Sequence, residues 1–140
     1  MSYRTVFPQP DTQDWNSKEW WAHMKQHRLV IQRCKQCKTF RHPPSPVCFK
    51  CRSFEYEWAP LSGKGRIYTY TIAYHPPSPM MAQAVPYNVV LVELPDAQNT
   101  RLVGNLLDAK NEEIAVGKAV EVVWEDVNEQ VTLPQWRLAM

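Results

Sequence analysis

The residues whose type and spacing most clearly predict chemistry are four cysteines between positions 34 and 51. Cys34 and Cys37 form one Cys-x2-Cys pair, and Cys48 and Cys51 form a second pair after ten intervening residues. Each tight turn of this kind presents two sulfur atoms to one side, so two turns can supply four ligands to a tetrahedral ion. The spacing favours one structural Zn²⁺ over disulfides or a thioredoxin-like redox pair. Iron is the other metal that accepts four thiolates.

Few groups outside the cysteines have the types and spacing that catalysis needs. A thiolase-like nucleophile is a free cysteine, but the predicted metal centre uses all four cysteines of the sequence. The chain contains no Gly-x-Ser-x-Gly, His-Glu-x-x-His, Walker or Gly-rich dinucleotide-binding motif. The histidines have no acid or nucleophile placed nearby in the sequence to assist them. We therefore expect no catalytic residues, and we keep only His75 in view, because it borders an apolar loop.

The charge distribution is basic around the cysteines. The 140 residues carry 16 Lys and Arg against 14 Asp and Glu, and 44% are hydrophobic, as expected of one folded domain. The stretch from Arg33 to Arg52 contains several cations and no acidic residue. A phosphate-binding patch has this composition. However, four thiolates and Zn²⁺ together carry a charge of about −2, so the metal centre would neutralise part of the excess. The charge balance therefore disfavours nucleic acid as a partner.

The elements that must position these residues begin with a predicted helix over residues 14–28. Asn16 is placed to cap it, with Glu19 three positions further on, as in a capping box. Trp20 and Trp21 follow side by side, which is more aromatic surface than a short helix needs for itself. The pair either docks on the chain's own barrel or forms a hook that faces a partner. The sequence leaves both interpretations open.

The rest of the chain is predicted to be mainly β. After an N-terminal segment and helix (1–28), residues 29–60 make a four-cysteine, rubredoxin-like zinc ribbon that begins with a strand. Residues 61–140 contain five stretches with strand character, which predicts a five-stranded OB-fold barrel. These stretches are residues 66–74, 87–94, 101–107, 119–127 and 131–138. Gly104 lies in the third stretch, where we expect it to allow the bend of a barrel corner.

A long loop without charged residues joins the first two of these strands. It runs from His75 to Pro86 and contains four prolines together with Met80 and Met81. Such a loop either folds back over the barrel mouth or is covered by a partner protein or an acyl ligand. Methionine-rich apolar segments are adaptable contact surfaces, so we favour the second interpretation.

OB barrels also bind single-stranded nucleic acid, by stacking bases on aromatic side chains. Tyr68, Tyr70 and Tyr74 alternate along the first barrel strand, as the residues of a stacking face would. A single-stranded nucleic-acid-binding module is therefore an alternative function, although the same alternation is expected of a face turned towards a barrel core.

The order of these pieces resembles the DUF35 family, zinc-ribbon and OB-fold proteins associated with acyl-CoA metabolism. A Trp-bearing helix comes first, then a ribbon with HPPSPVC leading into its second cysteine pair, then a barrel that opens with GKGRIYTYT. The resemblance covers residues 15–138. It implies a free-standing, non-catalytic accessory subunit with structural zinc. Such a subunit docks on a thiolase-fold enzyme (thiolase, synthase or aldolase) and helps to shape its acyl-CoA channel. Pairing with an enoyl-CoA hydratase is the alternative within the family.

The resemblance also implies a coenzyme A thioester as ligand of the complex. Lys64 and Arg66, at the start of the barrel, would suit its phosphates, and His75 borders the loop; these are our candidate acyl-CoA-binding residues. The candidate partner interface consists of Trp20, Trp21, Met80 and Met81. We expect a hetero-oligomer, with two copies of each subunit as the arrangement that thiolase-fold dimers suggest. Because no stretch has the length of an apolar membrane span and no leader-like segment opens the chain, we expect a cytoplasmic protein without membrane contact.

Overall fold

The computed structural model describes residues 7–139, which fold into one α-helix and two antiparallel sheets. The helix, α1, spans Lys18–Lys25. The first sheet has the strand order β2-β1-β3, and its strands are β1 (Val30–Cys34), β2 (Phe40–Arg41) and β3 (Tyr56–Pro60). Strand β1 was predicted from the sequence, whereas β2 and β3 were not.

The second sheet contains the five predicted strands, and their positions agree with the prediction to within a few residues. They are β4 (Lys64–Ala73), β5 (Tyr87–Leu94), β6 (Thr100–Gly104), β7 (Ala119–Asp126) and β8 (Thr132–Leu138). Their order in the sheet is β6-β5-β4-β7-β8, and each neighbouring pair is antiparallel.

This second sheet curls until its two outer strands meet. Leu106, just beyond β6, forms a parallel bridge with Trp136 of β8. The Leu107 N–H donates to the Trp136 carbonyl at 2.7 Å, and the Trp136 N–H donates to the Asn105 carbonyl at 3.1 Å. A curled five-stranded sheet with this order is an OB-fold, the partly open barrel expected from the sequence. The predicted fold class is therefore confirmed.

One continuous hydrophobic core joins the helix, the ribbon and the barrel. Met24 of α1, Ile31 of β1 and Val90, Val92 and Trp136 of the barrel are all 0% exposed and belong to the same cluster. In β5, every second residue from Asn88 to Leu94 is buried, which is the alternation of a strand with one face against a core. The two sheets are thus packed against shared apolar side chains.

The helix is shorter than predicted, and its predicted cap is wrong. Ser17, not Asn16, occupies the N-cap position, and no side-chain hydrogen bond caps the helix. Glu19 makes tertiary contacts instead: its carboxylate accepts hydrogen bonds from Trp58 Nε1 at 2.7 Å and from the Tyr56 hydroxyl at 3.1 Å. A carboxylate used to hold the helix against β3 is not available for a capping box. No helix within residues 7–139 is long and apolar enough to cross a membrane.

The far end of the helix is tied to the barrel. Lys25 Nζ donates to the Asn128 carbonyl at 3.0 Å, and His27 Nε2 lies 2.9 Å from an Asp126 carboxylate oxygen. The His27 ring also stacks on Trp124, with 5.2 Å between ring centroids. These contacts fix the orientation of α1 between the two sheets.

Trp20 belongs to the interior of the molecule. Its side chain is 4% exposed, and its indole N–H donates to the Val30 carbonyl at 2.9 Å. Of the two interpretations that the sequence left open, Trp20 therefore follows the first and docks on the chain's own core. It does not form a hook that faces a partner.

Position 104 requires a glycine because Trp136 leaves no room for a side chain there. A Cβ atom at position 104 would lie 2.8 Å from Trp136 Cδ1 and 2.9 Å from Trp136 Nε1, which is closer than carbon contacts allow. The glycine lets the indole of β8 pack directly against β6, where the edges of the curled sheet meet. The structure thus gives Gly104 a packing role that the sequence did not predict.

Candidate metal centre and adjoining cavities

The two cysteine pairs lie on turns with the same backbone hydrogen bonds. In the first, the Cys34 N–H donates to the Thr39 carbonyl at 2.9 Å; in the second, the Cys48 N–H donates to the Ser53 carbonyl at 2.9 Å. The sequence explains the equivalence, because each Cys-x2-Cys pair is followed by a basic residue and then by a hydroxyl residue. The centre is therefore built from one short turn used twice.

The basic residue after each cysteine pair closes its turn. Lys38 and Arg52 have φ values of 65° and 68°, in the left-handed region that few residues adopt. Their N–H groups donate to the carbonyls of Cys34 at 3.0 Å and Cys48 at 2.9 Å. Each turn is thereby closed by a backbone hydrogen bond that spans its cysteine pair.

The four sulfur atoms are arranged as a tetrahedral ion needs them. Cys34 Sγ lies 3.5 Å from Cys51 Sγ, and Cys37 Sγ lies 3.6 Å from Cys48 Sγ. All four Sγ atoms lie within 4.8 Å of one another. A Zn–S bond of about 2.3 Å in a tetrahedron places sulfurs roughly 3.8 Å apart. The predicted cysteine cluster is confirmed, and its residues fit one zinc ion, which would link the two turns and close the ribbon.

The backbone also favours the thiolate forms of Cys34 and Cys48, the forms that a metal requires. The backbone N–H of Cys37 is the main cause of a lowered pKa at Cys34. In the second turn, the backbone N–H of Cys51 is the main cause that lowers the pKa of Cys48 to about 6. An N–H that donates to sulfur stabilises its negative charge. Four coordinating thiolates leave no open position for water, so such a centre is structural rather than catalytic.

Part of the basic stretch around the cysteines is neutralised by the ribbon itself. Glu57 of β3 accepts a hydrogen bond from Arg33 Nε at 2.6 Å and lies 3.5 Å from Lys38 Nζ. The pKa of Glu57 is lowered, chiefly by the hydrogen bond from Arg33. Residues 33–52 contain no acidic residue, and Glu57 of the neighbouring strand supplies the carboxylate that balances part of their charge. These two cations are therefore already engaged.

An apolar cavity of about 560 Å³ opens where the helix, the ribbon connector, the loop after β4 and the barrel meet. Its lining is mostly apolar and includes Trp21, Met81, Tyr87, Leu102 and Val103. Its volume is within the range of small-molecule sites. We name it the apolar cavity.

The long loop contributes to this cavity with one of its two methionines. Met81 is 4% exposed and lines the apolar cavity, whereas Met80 is 73% exposed. Met81 thus packs on its own barrel, the less favoured of the two sequence interpretations, and Met80 points to solvent. Trp21 also lines the cavity and is half-buried.

The candidate acyl-CoA-binding residues lie outside the apolar cavity. Lys64 and His75 are exposed, and Arg66 Nη2 lies 3.8 Å from a Glu93 carboxylate oxygen. None of the three lines the apolar cavity. The tyrosines do not form a simple row either: a register shift between Ile67 and Thr69 interrupts the alternation, and Tyr74 lies beyond the end of β4.

Sequence reasoning missed His42. It lines the apolar cavity, and its ring lies 5.1 Å from the ring of Trp20, centroid to centroid. Burial lowers the pKa of His42 to about 4, so its imidazole is neutral at physiological pH. Its Nδ1 has no hydrogen-bond partner among residues 7–139. His42 begins the HPPSP segment between the two cysteine pairs, and no local pattern in that segment signals that it borders a cavity.

Two family models match consecutive parts of the chain. One is described as the rubredoxin-like zinc ribbon domain of ChsH2 and matches residues 21–57. The other is described as the C-terminal OB-fold domain of ChsH2 and matches residues 58–125. Together they cover the ribbon and most of the barrel.

Curated relatives carry two kinds of name. A "Probable enoyl-CoA hydratase alpha subunit" of Thermomonospora curvata is 45% identical over 121 residues, and the match covers 86% of this chain. The chain spans only 37% of that relative's length. A "DUF35 domain-containing scaffold protein" of Methanocaldococcus jannaschii is 37% identical over 111 residues, which cover 78% of this chain and 77% of the relative.

Among solved structures, a chain described as "Ltp2-ChsH2(DUF35) aldolase" superposes with a TM-score of 0.84 at 41% identity. The match covers 94% of this chain and 100% of the other. A protein of the DUF35 family from Sulfolobus solfataricus, described as of unknown function, superposes with a TM-score of 0.63 at 15% identity. That match covers 97% of this chain and 92% of the Sulfolobus solfataricus chain. The second likeness supports the fold alone.

Proposed function

This chain belongs to the DUF35 family of zinc-ribbon and OB-fold proteins, and from that premise we propose that it is the non-catalytic subunit of an acyl-CoA-processing complex with a thiolase-fold enzyme. The observation that carries the proposal is the likeness to the chain of the Ltp2-ChsH2(DUF35) aldolase, because it has 41% identity and covers that chain completely. The name of that assembly joins ChsH2 to a second component, Ltp2, and describes the two together as an aldolase. We therefore place an aldolase first among the thiolase-fold partners.

An enoyl-CoA hydratase is the second candidate partner. The relative in Thermomonospora curvata carries that activity in its name, and it is the relative with 45% identity. This chain spans only 37% of that relative's length, and we propose that hydratase activity belongs to the part of the relative that this chain does not match.

The chemistry of the described residues supports a non-catalytic role. All four cysteines fit the metal centre, and relatives with 31–37% identity are named scaffold proteins. His27 contacts Asp126 and Trp124 at the end of the helix, so it helps to hold α1 on the barrel. We propose that zinc keeps the ribbon (29–60) folded and that the barrel (61–140) contacts the enzyme.

We propose a hetero-oligomer of two copies of each subunit, in the cytoplasm and without membrane contact. The partner-facing surface would include Met80, which is 73% exposed, and Trp21 at the rim of the apolar cavity. A coenzyme A thioester would be the ligand of the complex. Lys64, Arg66 and His75 stay candidates for contact with it on the outer side of the barrel.

Identification of the proteins that co-purify with the tagged chain from its native cells tests this function. We expect a thiolase-fold enzyme in a constant ratio to the chain. Met80→Glu should reduce its recovery, because a charge replaces an exposed apolar contact. Val116→Glu is the matched control, since Val116 is 66% exposed but lies outside the loop. Recovery of a hydratase would favour the second candidate, and recovery of nucleic acid without any enzyme would contradict both.

A further inference from the structure

Strand β4 is longer than the pairing on one of its two sides. Strand β5 pairs with residues 66–73 of β4, whereas β7 pairs only with residues 64–66. The N–H and the carbonyl of Ile67 then make backbone hydrogen bonds of 3.0 and 2.8 Å to residues 117–118, in the turn before β7. Among residues 7–139, no strand pairs with β4 beyond this point on the side away from β5. We name that side of residues 68–73 the open edge.

The open edge reaches solvent along most of its length. Residues 68–71 are four consecutive exposed residues, whereas in a strand that packs one face on a core every second residue is buried, as in β5. In an antiparallel sheet, the N–H and carbonyl groups of alternate residues point to each side of a strand. The open edge therefore presents a row of backbone groups to which another strand can bind.

The sequence of the open edge does not protect it from such pairing. Residues 67–74 read IYTYTIAY and contain no charged residue and no proline, although lysine and proline are the residues that usually block an exposed edge. Threonine, tyrosine and isoleucine are strand formers. The register shift between Ile67 and Thr69 lies at the beginning of the open edge, where β7 diverges from β4. The open edge thus has the composition of a strand that is paired on both sides.

The open edge is also complementary to itself. A two-fold axis perpendicular to the sheet keeps each side chain on its own face, so a residue can lie opposite only a residue whose side chain is on the same face. With Tyr70 on the axis, each Tyr70 lies opposite its own counterpart, and Thr69 lies opposite Thr71. Aromatic pairs and threonine pairs across strands are favourable. Because residues 67–74 carry no charge, like charges do not face each other along this pairing.

We propose that the open edge of β4 pairs with the open edge of a second copy of this chain, antiparallel and with Tyr70 at the two-fold axis. The pairing joins the two five-stranded sheets and buries Tyr68 and Tyr70, which are 39% and 41% exposed in the single chain. The dimer goes beyond the proposed function and does not depend on it, because no enzyme takes part in the pairing. A strand from another protein is the competing occupant of the edge.

Sedimentation velocity of the zinc-loaded full chain, at increasing protein concentration, tests the dimer. We expect a monomer at low concentration and a dimer at high concentration. Hydrogen-exchange mass spectrometry at the same concentrations locates the contact. The amides of residues 68–73 should exchange more slowly in the dimer than in the monomer, while those of β8, on the far side of β7 in the sheet, should exchange equally in both.

Lysine substitutions assign the dimer to the open edge. Tyr70→Lys places two like charges opposite each other at the axis, so it should raise the dissociation constant of the dimer about tenfold or more. Thr71→Lys, at another exposed position of the edge, should have the same direction. Phe54→Lys is the matched control, because it adds the same charge at a ribbon residue that is 73% exposed; it should leave the dimer unchanged. Unchanged zinc content and circular dichroism show that each variant folds.

Three results would overturn the dimer: a monomer at every concentration, a dimer that Tyr70→Lys and Thr71→Lys leave unchanged, or a dimer in which residues 68–73 exchange as fast as in the monomer. A monomeric chain whose recovery of an enzyme decreases with Tyr70→Lys would assign the edge to the enzyme instead of a second copy. A chain that dimerises through the edge but recovers no enzyme has the dimer without the proposed function.

Discussion

The ribbon and the barrel are stabilised in different ways. The barrel has five strands whose inward side chains fill a core, with Val90, Val92 and Trp136 at 0% exposure. The ribbon has three short strands, and β2 contains only two residues. Its two cysteine turns place four sulfurs within 4.8 Å of one another. Burial of apolar surface can stabilise the barrel, whereas an ion bound by the four cysteines would stabilise the ribbon turns.

The difference shows where each region obtains its stability. A barrel of this kind carries its own stabilising groups in its sequence, and it needs only the correct register of its strands. The cysteine turns bring cationic residues and thiols together, and a bound metal ion would supply the link that stabilises them. The helix connects the two, because Met24 packs in the shared core and Glu19 contacts β3. Four substitutions would sharpen or break this contrast.

Loss of one metal ligand should have the largest effect, and it should be confined to the ribbon. Cys34→Ser removes a thiolate, and zinc binding contributes on the order of 10 kcal/mol to the folding of small zinc modules. We expect loss of zinc and rapid hydrogen exchange in β1–β3, while β4–β8 stay protected. Metal analysis and hydrogen-exchange mass spectrometry measure both effects. Lys50→Gln, in the second turn, is the control, and full zinc content in Cys34→Ser would contradict the metal centre.

Loss of the buried indole of the helix should affect both regions together. Trp20→Ala removes a side chain that is 4% exposed, and large aromatic deletions in a core cost about 3–5 kcal/mol. We expect the free energy of unfolding to decrease by this amount, and urea titrations measure it. Trp15→Ala is the matched control on the same segment, because Trp15 is 71% exposed and its loss should change stability by about 0.5 kcal/mol or less. Equal effects of the two would place Trp20 on the surface.

The buried imidazole between the regions should make stability depend on pH. The pKa of His42 falls from 6.5 to about 4 in the folded chain because of burial. As the pH decreases from 6.5 to 4, the unfolded chain therefore binds a proton that the folded chain does not, and stability decreases by roughly 3 kcal/mol. His42→Phe should remove this part of the pH dependence. The free energy of unfolding in urea, measured at pH 7 and pH 5 for the unsubstituted chain and for His42→Phe, tests this. If the free energy changes equally with pH in the two proteins, the imidazole of His42 is accessible to protons in the folded chain.

The smallest of the four effects should come from a single methyl group in the barrel. Gly104→Ala places a Cβ 2.8 Å from Trp136 Cδ1, and overpacking of this kind costs about 1–3 kcal/mol. We expect a lower melting temperature with unchanged zinc content, since the ribbon is not involved. Trp136→Leu should make the added methyl harmless in a double-mutant cycle. Additive effects of the two substitutions would show that the methyl and the indole do not meet.

The sequence predicted the features that depend on neighbouring residues. The strands of the barrel follow from local stretches with strand character, as in residues 87–94, and the metal centre follows from two Cys-x2-Cys spacings. It failed where a side chain finds its partner far along the chain. Glu19 was assigned to a cap but contacts Trp58, and Arg33 pairs with Glu57. The apolar cavity depends on residues from segments that only the folded chain brings together, so no local pattern could reveal it.

The metal centre is not equally accessible from all sides. Cys34 and Cys48 are buried, whereas Cys37 and Cys51, the second cysteine of each turn, are exposed. An incoming chelator or oxidant must reach a sulfur before it can displace the ion, so exchange would start at Cys37 or Cys51. The buried sulfurs of Cys34 and Cys48 would dissociate from the ion last. The centre would thus exchange its metal from the outer side, at the two exposed cysteines.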